Sequence, residues 1–258
     1  MTSIPPLTGF RNEQFSTTRT QRPTTHHTPR KPALMRRYDV TYLGSSGRTE
    51  WQNFVAPANA TFESAFSAFA RGTLIRTTDG PCAVEDLDPG MMIETHEFGP
   101  QPLQWLGSMQ IIPNAPVDTP EQTRLTRIMP DTFGIGRPIS DLMIGPGARL
   151  LRHVPGGEPD QDELTPVSNV VDGDGVFQIT PPMPVQVHHL CLPRHATIFV
   201  GGLRMESYHP GEGFAELLGP NMLKLFLSLF PHIQSLQDFG TMAYLHSRSL
   251  QRGQLSLV

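Results

Sequence analysis

Residues 69–111 read "FARGTLIRTTDGPCAVEDLDPGMMIETHEFGPQPLQWLGSMQI". Short apolar runs ("TLIRT", "CAVEDL", "MMIETH", "LQWLGSMQI") are separated by Gly, Pro and Asp turns, a rhythm of strands rather than helices. In "VEDLDPGM", Val84 and Leu87 supply apolar anchors. Asp88, Pro89 and Gly90 turn the chain, with Pro holding φ and Gly accepting a positive one. Asp86 and Asp88 flank this turn and are expected to accept hydrogen bonds from backbone donors. Cys82, after Pro81 at a turn, reads as a small core filler. Trp105, alternating with Leu103 and Gly107, reads as a packed aromatic on a strand.

The same rhythm extends both ways. Upstream, "RRYDVTYLG" (36–44) alternates as a strand does, and "ATFESAFSAFARG" (60–72) spaces Phe62, Phe66 and Phe69 for a short helix or turn. Downstream, "RLTRI", "DLMIG", "ARLLRH", "TPVSNVV", "VFQIT", "VQVHHLCL" and "TIFVGG" continue the strand series, broken by the acidic stretch "PGGEPDQDE" (155–163), expected as a solvated loop. With 26 Pro, 23 Gly and only 17 % charged residues, the composition suits many short strands, an all-β class. After Pro210 the pattern changes. "GPNMLKLFLSLFPHI" (219–233) places Pro220 at a helix start and leaves Asn221, Lys224 and Ser228 as a narrow polar stripe, so residues 211–258 form a helical extension. Its largely apolar helix is expected to pack on the β body and is the candidate surface for a protein partner.

Residues 1–37 hold seven Arg and Lys against Glu13 alone, a balance of +6, which leaves −10 for the rest of a chain whose net charge is −4. Within this region, residues 1–34 are rich in Thr, Pro and Arg without periodicity and read as a disordered basic tail. Residues 35–61 read as a strand and linker. The basic charges are dispersed, so no nucleic-acid binding is expected. Two cysteines make no disulfide framework, no secretory apolar run opens the chain, and no stretch approaches the roughly 20 apolar residues of a membrane span. A cytoplasmic protein with no membrane association is the resulting expectation.

The ordered set in residues 69–111 resembles the opening of a Hint domain, the fold of inteins and of the autoprocessing part of Hedgehog proteins, and most resembles the bacterial stand-alone subgroup. "RPISDLMIGPGARLLR" (137–152) is similar to the family's second motif block, and "VQVHHLCLPRHATIFVGGLRMESYHPG" (185–211) to its closing block. The resemblance implies an all-β Hint-like domain over residues 62–210. An active member uses a Cys or Ser to attack the preceding carbonyl, and a Ser/Thr-x-x-His motif to assist. By that resemblance the nucleophile position falls on Ala68, the acid–base position on Ala148, and the closing-block His on His195. Where inteins end in His-Asn, this chain has Glu206 and Ser207.

A methyl group cannot attack a carbonyl, so a non-catalytic structural or binding module is expected. The alternative is an autoproteolytic protein with a displaced nucleophile, Ser67 or Cys82. A one-residue shift in a strand turns a side chain to the opposite face, so Ser67 is expected to be solvated or capping. A zinc site at His189, Cys191 and His195 would have only three ligands, so neither a metal nor any other cofactor is expected.

Overall fold

The computed structural model describes Met1 and residues 34–117, 119–153 and 162–247. The basic tail assigned to residues 1–34 falls, but for its two ends, outside the described residues, as does most of the acidic loop. The architecture is that of the unit Ala33–Val258. Its first half contains β1 (Met35–Leu43), β2 (Thr49–Pro57), α1 (Ala60–Glu63), β3 (Phe69–Ala70), β4 (Leu74–Thr77), β5 (Gly80–Ala83), β6 (Met92–Thr95), β7 (Gly99–Pro102) and β8 (Trp105–Ile111). The second half adds β9 (Leu125–Ile128), β10 (Leu142–Ile144), β11 (Arg149–His153), β12 (Asp162–Pro166) and β13 (Val176–Ile179). It closes with β14 (Val185–Cys191), β15 (Thr197–Val200), β16 (Leu203–Glu206), α2 (Phe214–Leu217) and α3 (Pro220–Ser228).

The chain is all-β apart from these short helices, and the strands form two antiparallel sheets. One runs β13-β9-β10-β3-β14-β8-β1-β2. The other runs β12-β11-β16-β15-β4-β6-β7, with β5 beside β4. Residues 49–57, read from sequence as linker, form β2 and pair with β1 along its whole length, from Met35 opposite Pro57 to Leu43 opposite Thr49. Asp162 and Glu163, assigned to the solvated loop, begin β12 and face His153 and Arg152 of β11.

One core lies under the second-block and closing-block strands and holds Ala68, Phe69, Ile75, Ile144, Ala148 and Ile198. A second core joins Tyr38 of β1, Phe62 and Phe66, Trp105 of β8, and Phe226 and Phe230 from α3 and the turn after it. The C-terminal segment therefore shares its apolar face with the sheet. The indole of Trp105 stacks on Phe230 with centroids 4.6 Å apart and donates to Leu229 O at 2.9 Å. Glycine is required at 107, because a Cβ there would fall inside van der Waals contact of the Trp105 and Phe66 rings. Among the described residues no helix is long and apolar enough to cross a membrane.

Candidate functional site

Strand β3 opens where the buried segment 65–70 passes under the loop 145–148. The Ser67–Ala68 peptide and the Ala68 carbonyl after it are held by main chain. Ala68 N–H donates to His188 O at 3.0 Å, Gly145 N–H to Ala68 O at 2.8 Å, and Gly147 N–H to Ser67 O at 2.9 Å. The approach depends on two glycines: a Cβ at Gly145 would strike Ser67 O, and one at Gly147 would strike Ser64 O and Ser67 Oγ. Ala68 and Ala148 are both buried, and their methyl groups are part of the first core. Neither side chain can exchange a proton or attack a carbonyl.

Ser67 is buried, 1 % exposed, and its Oγ has no hydrogen-bond partner. This corrects the solvated or capping role expected of it, because the loop 145–148 covers the segment from above. Cys82 is half-buried against the first core. Burial pushes its thiol up, and the carboxylates of Asp86, Asp88 and Glu85 push it further, so the thiolate is disfavoured. Glu85, rather than Asp86 or Asp88, captures a backbone donor here, accepting Gly72 N–H at 2.7 Å.

His195 belongs to a different constellation. Its Nε2 lies 3.0 Å from Glu206 Oε1, and its Nδ1 accepts Ala243 N–H at 2.9 Å, an arrangement that assigns the proton to Nε2. Glu206 also receives His246 Nε2 on Oε1 and Arg149 Nη1 on Oε2, the latter at 3.0 Å. Burial alone would raise the Glu206 carboxyl, but His195, His246 and Arg149 together hold it well below the usual carboxylate range. The His209 ring lies 5.1 Å from that of His195, and burial, reinforced by His195, lowers it to about 4.

His189 packs edge-on against Phe69 and Tyr208, and burial lowers it to about 3. The Cys191 thiol is pushed well up by burial within the second core. Among the described residues no group of three His, Cys, Asp or Glu side chains is gathered to hold a metal ion.

Sequence reasoning passed over Arg149, His209 and His246 and treated Glu206 only as a departure from pattern. A signal for Glu206 was present. "VGGL" is a two-residue Gly-Gly hairpin turn, and Gly201 and Gly202 do adopt positive φ. That turn sets Thr197 opposite Glu206 and so brings His195 near the carboxylate. For His246 there was none, since its contact depends on where the C-terminal segment returns.

The family profile described as Hint domain matches residues 67–212, more than half of the chain. Comparison with curated proteins gives no match. Among solved structures, the chain is similar to a bacterial intein-like domain from Clostridium thermocellum, with 14 % identity and TM-score 0.35, covering 55 % of this chain and 99 % of that one. It is also similar to a splice-inactive variant of the AceL NrdHF class 3 split intein, with 13 % identity and TM-score 0.36, covering 55 % and 97 %.

Proposed function

Because the chain belongs to the Hint domain family, we propose that it retains the scaffold of that family without autoprocessing chemistry, and works as a non-catalytic structural or binding module. The observation that carries this reading is that positions 68 and 148 hold buried methyl groups, next to a Ser67–Ala68 peptide whose carbonyl and N–H are both bonded to main chain. An amide-to-ester or amide-to-thioester shift needs a nucleophile within reach of the preceding carbonyl and a group to protonate the departing nitrogen. The residues at the matching positions supply neither. The intact mass of the purified chain, held for days with and without dithiothreitol or hydroxylamine, is expected to stay unchanged. Release of a fragment ending at Ser67 overturns the reading.

One observation favours a second reading, self-cleavage by a displaced nucleophile: the Ser67 hydroxyl is buried without a partner. A serine needs a base to attack, and among the described residues no imidazole or carboxylate hydrogen-bonds to this hydroxyl. Should cleavage occur, Ser67→Ala and Cys82→Ala separate the two candidates.

A protein partner would meet α2 and α3 on the side away from the core, where Leu217 and Met222 are exposed. Both cysteines are free thiols, which supports a reducing, cytoplasmic setting.

A further inference from the structure

The first sheet ends at β13 and β2, the second at β12 and β7. Three of these edges are short or occupied. β13 and β7 have four residues each, β7 carries Pro100 and Pro102, and β12 is bridged to His246 through Leu164. β2 differs from them: it is nine residues long, paired with β1 in unbroken register, and has no lysine and no internal proline to blunt it. Among the described residues no strand pairs with its outer side.

The register identifies which groups are open. Gly44 N–H donates to Arg48 O and Ala58 N–H to Leu34 O, both at 2.8 Å. These two bonds bracket the hairpin, and bonded pairs alternate along an antiparallel ladder, so residues 50, 52, 54 and 56 are the ones that bond to β1. The N–H and C=O groups of Thr49, Trp51, Asn53 and Val55 point away from it. Their side chains share one face, on which Trp51 is 55 % exposed and Val55 62 %. On the other face Phe54 packs against the second core and Glu50 accepts the Tyr42 hydroxyl at 2.7 Å, so the strand is held to the body without a further partner.

We propose that β2 is the interface of a two-fold dimer, pairing antiparallel with β2 of a second copy of this chain about an axis at Asn53. Trp51 then lies opposite the partner's Val55, Val55 opposite the partner's Trp51, and the two Asn53 residues oppose each other. All are outward positions, so each pair exchanges both of its main-chain bonds. This register sets both exposed apolar side chains against apolar partners, an aromatic beside a β-branched one. A shift of two residues in either direction sets Asn53 against Trp51 or Val55 instead. Charge agrees with it: Glu50, the ionisable side chain of the strand, faces the partner's Ala56, while Arg37 and Asp39 on β1 are paired with each other, so no like charges meet. β2 is complementary to itself, which singles out a second copy over an unrelated strand.

The test is sedimentation velocity of the full chain combined with residue-resolved amide hydrogen exchange. From about 1 to about 100 μM, a range that brackets micromolar dissociation, a species of twice the 28.6 kDa chain mass is expected to grow in. The Trp51, Asn53 and Val55 amides are expected to be protected in it and to lose protection on dilution, while those of Gln52 and Phe54, bonded to β1, keep theirs. Asn53→Pro removes an outward N–H without touching a bond to β1, and Trp51→Lys with Val55→Lys sets like charges opposite one another. Each variant is expected to raise the dissociation constant more than about tenfold, with the Gln52 and Phe54 amides still protected. A chain that stays monomeric throughout, a dimer whose 51, 53 and 55 amides exchange freely, protection of those amides in a monomer, which would mean that the chain's own residues cover the edge, or a dimer that survives the two lysines each overturns the proposal.

Discussion

Glu206 shows how a single residue can be costly to bury and still be retained. A lone carboxylate in the interior is strongly unfavourable, and here three donors from three parts of the chain offset that cost. Glu206→Gln removes the charge and leaves Arg149 without its counter-ion, so chemical denaturation is expected to show a loss of about 3–5 kcal/mol. Ala148 is constrained differently, by space. Replacing its buried methyl with an imidazole, Ala148→His, forces the first core apart and is expected to cost about 1–3 kcal/mol, read as a lowered denaturation midpoint.

At the scale of elements, α3 and the turn after it complete a core that the N-terminal hairpin and β8 leave open. Phe230 stacks on Trp105 and on Tyr208, and it meets Phe66, Phe226 and Phe239. Phe230→Ala is expected to destabilise by about 3–5 kcal/mol and to loosen the C-terminal segment and the hairpin together, as hydrogen exchange would show. The opposite side of this region is separable from stability. Leu217→Lys with Met222→Lys touches only exposed positions and is expected to leave the unfolding free energy within about 0.5 kcal/mol for each substitution.

Over the whole molecule, the buried His188, His189 and His209 and the half-buried His232 set the response to acid. Burial lowers His188, His209 and His232 to about 4 and His189 to about 3. The unfolded chain, with histidines near 6.5, binds more protons than the folded one below that pH, so stability falls as pH drops from about 6.5 toward 4. The Glu206 carboxyl, held low in the fold, adds a loss of the same sign once pH falls below the ordinary carboxylate range. Calorimetry is expected to give a thermal midpoint at pH 5 below that at pH 7 by more than about 4 °C, the shift of roughly one kcal/mol at this size. A flat profile would mean that these imidazoles are solvated.

What the sequence by itself determined was local: alternation of apolar residues, the "DLDPGM" turn and the helix start at Pro220. Each depends on φ preference or side-chain period within a few residues, and together they were enough for the all-β class; the family came from the resemblance of the ordered motif blocks. The methyl groups at 68 and 148 were also legible, because the chemistry of an alanine side chain needs no coordinates. Tertiary structure alone decided the burial of Ser67, the pairing of 49–57 as a second hairpin strand, and the return of His246 to Glu206. Those outcomes depend on which distant segment covers a residue. Gly145 and Gly147 allow one loop to lie directly on residues 64–68, and Phe230 directs the C-terminal chain back over the sheet. Neither effect has a period or a spacing along the chain, because both arise from segments packed far from one another in sequence.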